Sequence, residues 1–188
     1  MPGPVFIEGD HVVLRTIEEE DIEFLQEGVN DPRVWRPIGS STPYNLEQER
    51  EFFEEIVSDN DTVQLLVSTE ETPVGTVGLA PIDREAGVAE VGYWITPDRW
   101  GEGIGTEATA LIVQYAFDQL RLHKITARTY EFNEASQRLL RKLGFTEEGV
   151  QREQAFIDGE HCDVHWFGIL ARARQNEQLT STDEYCIR

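Results

Sequence analysis

The stretch Glu90 to Glu107, E-V-G-Y-W-I-T-P-D-R-W-G-E-G-I-G-T-E, limits what this chain can fold into more than any other. It begins as a strand. Val88 to Ile95 is mostly apolar and ends in Tyr93, Trp94 and Ile95, types that suit a pleated, half-buried surface. Thr96-Pro97-Asp98 stops the strand, because proline has no N–H to give to a ladder. Gly101, Gly103 and Gly105 follow, each two apart, and then Ala108, Leu111, Ile112, Tyr115 and Ala116 recur at helical spacing. The layout is strand, glycine-rich turn, helix. Glycines let a backbone approach a ligand closely. The free N–H groups of a first helical turn attract phosphate. A flexible surface turn fits the glycines alone equally well. Two nucleotide motifs are excluded. No Gly-Lys-Ser/Thr closes the loop, as a Walker loop requires, and G-x-G-x-G is not the G-x-G-x-x-G of a dinucleotide fold.

The rest of the chain supplies strands and helices in a definite order. Val12 to Arg15 reads as a first strand. Thr16 with Glu19 fits a capping box for a helix carrying Ile17, Ile22, Phe24, Leu25 and Val29, ended by Asn30-Asp31-Pro32. Val34 to Tyr44 reads as irregular. A second helix is expected from Leu46 to Val57 with Phe52, Phe53, Ile56 and Val57 buried. Val63 to Ser68 and Val74 to Leu79 read as strands joined by a hairpin-length loop. Lys124 to Thr129 is the next strand after the glycine-loop helix. Asn133 caps a helix with Ala135, Leu139, Leu140 and Leu143 inward, ended by Gly144. Thr146 to Ile157 and Glu160 to Leu170 form a last hairpin about Asp158-Gly159. Residues 174–188 read as a polar tail.

Charge excludes several partners. Asp and Glu total 36 against 16 Lys and Arg, a formal net charge of −20 spread along the chain. Such a surface repels nucleic acid and anionic membranes. Only Lys124 and Lys142 are lysines. Dispersed acid with almost no lysine points to a protein adapted to a high-salt cytoplasm, as in halophilic archaea; an acidic protein with a basic partner is the other reading. No run reaches the roughly 18 apolar residues of a membrane span, and M-P-G-P-V-F-I-E-G-D lacks the regions of a signal peptide. The expected location is cytoplasmic. His161, Cys162 and His165 lie close together, but no fourth ligand for a structural zinc is evident, and no metal is expected.

Three ordered blocks resemble the GNAT N-acetyltransferases. The first is Trp100-Gly101-Glu102-Gly103-Ile104-Gly105, similar to that family's pyrophosphate loop, with Trp100 where Gln or Arg is usual. The second is Asn133-Glu134-Ala135-Ser136 through Lys142-Leu143-Gly144-Phe145, and the third is Asp158-Gly159 with Asp163 and Leu170. Trp100, with Gly92-Tyr93-Trp94-Ile95 before it and Thr106-Glu107-Ala108 after it, looks like the RimJ/RimL branch. The resemblance covers residues 8–173 and implies an α/β (α+β) GNAT fold. That fold has a mixed central sheet of about six to seven strands flanked by about four helices, ordered β-α-α-β-β-β-α-β-α-β-β.

It further implies an acetyl-CoA-dependent N-acetyltransferase acting on a primary amine, either a protein N-terminus of the ribosomal-protein type or a small amine. The protein would be a monomer or homodimer. Backbone groups of Tyr93, Trp94 and Ile95 would bond the pantetheine arm and polarise the thioester carbonyl. The loop from Trp100 through Glu102, Ile104 and Gly105 to Thr106 would take the pyrophosphate, and Asn133 would also bond the arm. Glu90, a carboxylate in an otherwise apolar strand, is the candidate base, directly or through water; an outward or paired carboxylate fits equally. Many relatives place an acid tyrosine seven residues after the asparagine. Here that position is Leu140, and Ser136 takes the acid role in the RimL-like pattern. The segment between the first two helices helps form the acceptor site in relatives. A non-catalytic acyl-CoA sensor on the same fold is the alternative.

Overall fold

The computed structural model describes residues 3–173. Its strands are β1 (Val5–Glu8), β2 (Val13–Thr16), β3 (Val63–Thr69), β4 (Thr72–Asp83), β5 (Val88–Ile95), β6 (Lys124–Tyr130), β7 (Thr146–Ile157) and β8 (Glu160–Leu170). Its helices are α1 (Ile22–Asn30), α2 (Pro32–Ile38), α3 (Leu46–Phe52), α4 (Ile104–Asp118) and α5 (Glu134–Lys142). The strands form one sheet of eight in the order β1-β2-β3-β4-β5-β6-β8-β7. Every neighbouring pair is antiparallel except β5 and β6, which are parallel. Parallel neighbours need a crossover, and α4 supplies it.

Strand alternation divides the core between two faces. On one face Leu65, Val67, Val77, Leu79, Val91 and Ile95 pack with Ile104, Ala108 and Ile112 of α4 and Leu140 of α5. On the other, Leu66 packs with Ile17 and Leu25, joined by Phe24, Phe53 and Trp94. The layer of α1, α2 and α3 therefore lies on one side of the sheet, and α4 with α5 on the other.

Several local expectations are corrected. Asp31-Pro32 begins a helix as well as ending one: the Asp31 carboxylate accepts from the Arg33 N–H, proline occupies the first turn, and Gly39 closes α2 at φ 80°. The segment read as irregular is thus largely α2. The capping box uses Glu18 and Asp21 instead of Thr16 and Glu19. The second helix changes to a π-helical turn over Phe53–Val57, which leaves Phe52 exposed and buries Glu49 instead. β1, with Val5 and Phe6 about half exposed, had no strong pattern to announce it. The tail expected at 174–188 lies outside the described residues. Among the described residues no helix is long and apolar enough to cross a membrane.

Candidate active site

The parallel pairing of β5 with β6 is short. It runs through Val88–Lys124, Ala89–Ile125 and Glu90–Thr126 and stops there, although β5 continues to Ile95 and β6 to Tyr130. Beyond Glu90 the strands are parted by a wedge-shaped gap. Its β5 side offers backbone groups. Thr96 N–H donates to Val74 O on the β4 side, and alternate residues of a strand direct their amides to opposite sides. The backbone groups of Tyr93 and Ile95 therefore face the gap, while those of Trp94 face β4. The Ile95 carbonyl is taken by the Trp100 indole N–H at 2.7 Å, which ties the glycine loop to the strand end. Trp94 also lines the cavity described below, and its ring stacks on Phe24 with centroids 5.5 Å apart and lies hard against Gly28, where there is no room for a Cβ.

The glycine loop leads from the gap into α4. Gly101 and Gly103 have φ of 84° and 85°, the left-handed region where branched residues are strained. Gly103 is the N-cap of α4 and has no side chain to cap with. The first bond back into the turn is Glu107 N–H to Gly103 O, so the amides of Ile104, Gly105 and Thr106 are the free donors of the helix start. Such donors at the positive end of a 15-residue helix fit a pyrophosphate. Glu102 is not among the residues lining the cavity; its carboxylate is bound by Arg99 at 2.9 Å.

Across the gap, Asn133 begins α5. Its Oδ1 accepts from the Ser136 N–H at 3.1 Å, so it serves as the cap. Ser136 Oγ is 2.8 Å from the Tyr93 hydroxyl. Burial pushes the Tyr93 phenol up to about 12, against the opposing hydrogen bond from Ser136. The sequence pointed to the backbone of Tyr93; its side chain is a second proton carrier at the same place. Leu140, where relatives carry tyrosine, is fully buried in the core.

Glu90 lies on the α1–α3 face at the vertex of the wedge. Its Oε1 is 3.0 Å from Arg128 Nε on β6. Burial raises its pKa above the ordinary glutamate value, and the Arg128 charge opposes the rise. Glu90, Tyr93, Gly103, Arg128, Asn133 and Ser136 all line one cavity of about 890 Å³. Arg33, Val34, Pro37 and Ile38 of α2 close it, with Phe52, Gln64 and Thr76. Arg128 was missed in the sequence; the segment between the first two helices was expected at the acceptor site, but its helical form was not read. Asp-Pro at a helix start was a legible sign of α2; nothing local marks Arg128. Among the described residues no group of three or more His, Cys, Asp or Glu is placed to hold a metal ion.

Comparison with known proteins agrees with this geometry. The acetyltransferase (GNAT) domain family matches residues 11–146. An uncharacterized N-acetyltransferase of Bacillus licheniformis, p20, is 30% identical over 168 residues, covering 87% of this chain and 94% of that protein. The spermidine N(1)-acetyltransferase of Escherichia coli K12 is 29% identical over 151 residues, covering 80% of this chain and 81% of the other. Among solved structures, the spermidine N-acetyltransferase of Vibrio cholerae in complex with CoA and spermine superposes with a TM-score of 0.83 at 25% identity, covering 87% of this chain and 98% of that one.

Proposed function

The chain belongs to the GNAT acetyltransferase family, and on that premise we propose that this acetyl-CoA-dependent N-acetyltransferase acts on the primary amine of a small molecule, as a RimJ/RimL-like member of the family. The observation that carries the reading is the wedge between β5 and β6. It brings Glu90, the Tyr93 amide and the Tyr93–Ser136 pair to one cavity, beside the free amides of the α4 start. The acceptor class draws support from the spermidine acetyltransferases among the relatives. A protein N-terminus is the second class. A smaller hollow of about 590 Å³ shares Arg33, Pro37 and Trp100 with the cavity and gives room for a chain behind such an amine.

The thioester supplies an activated acetyl group when bound. The residues around it then divide the work. The amides of Ile104, Gly105 and Thr106 hold the pyrophosphate. The Tyr93 N–H donates to the carbonyl oxygen, a fixed donor that favours developing negative charge. Glu90, directly or through a water, takes a proton from the amine, and burial makes it a better base than an exposed glutamate. As the new C–N bond forms and the C–S bond breaks, the Ser136 hydroxyl gives a proton to the departing sulfur, and the Tyr93 phenol replaces it. The second amine proton restores the phenol through solvent, so one proton is released per turnover of an ammonium substrate. The dispersed acidic surface fits a high-salt interior, and we assign the protein to a halophilic setting on that ground.

The test is thiol release on mixing the protein with acetyl-CoA and a panel of amines. Turnover with at least one primary amine is expected. Gly103→Val, strained at φ 85°, is expected to weaken acetyl-CoA at least about tenfold, or about 1.4 kcal/mol. Tight acetyl-CoA binding by calorimetry with no thiol release from any amine would make the protein a sensor instead.

A further inference from the structure

Resting on that acetyltransfer reading, we propose that the acceptor carries a carboxylate on the carbon next to its amine. It is an α-amino acid or a close relative, and the Glu90–Arg128 pair recognises it.

The pair is built for such a zwitterion. The closest approach of the pair is Arg128 Nε to Glu90 Oε1, at 3.0 Å. Among the described residues no carboxylate other than Glu90 forms an ion pair with Arg128. The cavity wall thus presents an anionic acceptor and a cationic two-pronged donor in direct contact. An α-amino acid presents the complement, an ammonium and a carboxylate separated by one carbon. Guanidinium pairs with carboxylate through two parallel N–H···O bonds, which fixes orientation as well as affinity. The Arg128 side chain is 59% exposed against 23% for Glu90, so the fork is open to the cavity. With the carboxylate on Arg128, the amine is held at Glu90, at the vertex where the wedge begins.

The rest of the wall agrees. In a chain with 36 acidic residues and 16 cationic ones, Glu90 is the lone acid among the described residues lining this cavity, against Arg33, Arg99, Arg128, Arg138 and Lys142. Four of those cations have a carboxylate partner: Arg33 with Asp31 and Asp98, Arg99 with Glu102, Arg138 with Glu134, and Arg128 with Glu90, the one partner among these that lines the cavity. Lys142 lies on α5, on the other side of the sheet. Arg128 is thus the cation whose partner belongs to the cavity itself, and it stands on the acceptor face. A carboxylate that served only as a base would be weakened by an arginine on it, so Arg128 needs a different reason to be there. A polyamine would bring more positive charge to Arg128 and Arg33. Beyond Glu90, it would find carboxylates among the described lining residues only in the neighbouring hollow, at Glu131, Asp158 and Glu160, and Asp158 is already held by Arg36 at 3.1 Å. A protein N-terminus has no free carboxylate beside its amine.

The experiment compares kcat/KM for a set of α-amino acids, their amides, spermidine and a short peptide, in the wild type, Arg128→Gln and Arg128→Lys. At least one amino acid is expected to exceed its own amide by about tenfold or more. Arg128→Gln should lower that acid-to-amide ratio at least about tenfold, with Arg128→Lys between the two, because it keeps the charge and loses the fork. The acetyl-CoA KM serves as the control for folding and should stay within about threefold. Spermidine or peptide turnover with amino acids inert would overturn the proposal and leave the acetyltransfer reading standing, as would an Arg128→Gln that slows acid and amide equally. No thiol release from any of these amines would overturn both.

Discussion

The Tyr93 hydroxyl and the Ser136 Oγ, 2.8 Å apart, join β5 to α5 across the gap. Neither group is an acid of useful strength alone. Tyr93, pushed up to about 12, stays protonated across the working range and is always ready to donate. In the proposed mechanism Ser136 passes its proton to the departing sulfur and takes one from Tyr93.

Ser136→Ala and Tyr93→Phe are therefore expected to act on one step. General acid assistance is typically worth about 10² to 10⁴ in rate; since either hydroxyl or a water substitutes in part, each single variant should lower kcat by about tenfold or more. The double variant should fall well short of the product of the two losses, as groups acting as a unit do. The acetyl-CoA dissociation constant should stay within about threefold. The kcat profile should show no falling limb from Tyr93 below about pH 11, set by its raised pKa. A normal kcat in a destabilised Ser136→Ala would reduce the serine to a first-turn packing residue.

Glu49 on α3 gives a prediction about stability. It is 4% exposed, and among the described residues no side chain pairs with it. Burial raises its pKa above the usual 4.5. A carboxylate whose folded pKa is raised binds its proton more tightly in the native state, so it destabilises the fold once pH exceeds both values. Below the unfolded value both states are protonated and the penalty is absent. Glu49→Gln is expected to raise Tm at pH 7.5, by about 2–4 °C for each kcal/mol recovered in a chain of this size. The gain should shrink as pH falls towards the ordinary glutamate range. Thermal scans at pH 7.5 and 5 check it; an unchanged or lower Tm at pH 7.5 counts against an ionised, unpaired Glu49.

Salt is the third lever. A net charge of −20 repels itself, and the screening length falls from about 10 Å at 0.1 M to about 3 Å at 1 M. Tm is expected to climb steeply with KCl. A flat Tm between 0.1 and 2 M would remove the halophilic assignment.

What could be read in the sequence was what is decided locally. The glycine loop, the Asn133 cap and the Asp158-Gly159 turn each depend on a few adjacent residues, and all three stand where the chain announced them. α2 was legible in principle, because aspartate then proline is both a stop for one helix and a start for the next; only the stop was read. Glu90 showed itself as a charge in an apolar strand. Its partner Arg128 did not, because the parallel register that aligns Glu90 with Thr126 joins strands far apart in the chain and has no signature in either strand. The Tyr93 hydroxyl was hidden for the same reason: which helix a strand side chain meets is a tertiary fact.

With the arm placed along β5 as proposed above, the unfinished ladder between β5 and β6 makes the cosubstrate a temporary strand. Three residue pairs stitch the two half-sheets when the wedge is empty. Beyond those pairs the amides of Tyr93 and Ile95 face the gap and not a strand, and backbone donors inside a protein need a partner. An arm lying along β5 supplies that partner and extends the seam towards the strand ends. Each catalytic cycle therefore closes and reopens the seam of the sheet, and release of the spent carrier is the unzipping of its last-added strand.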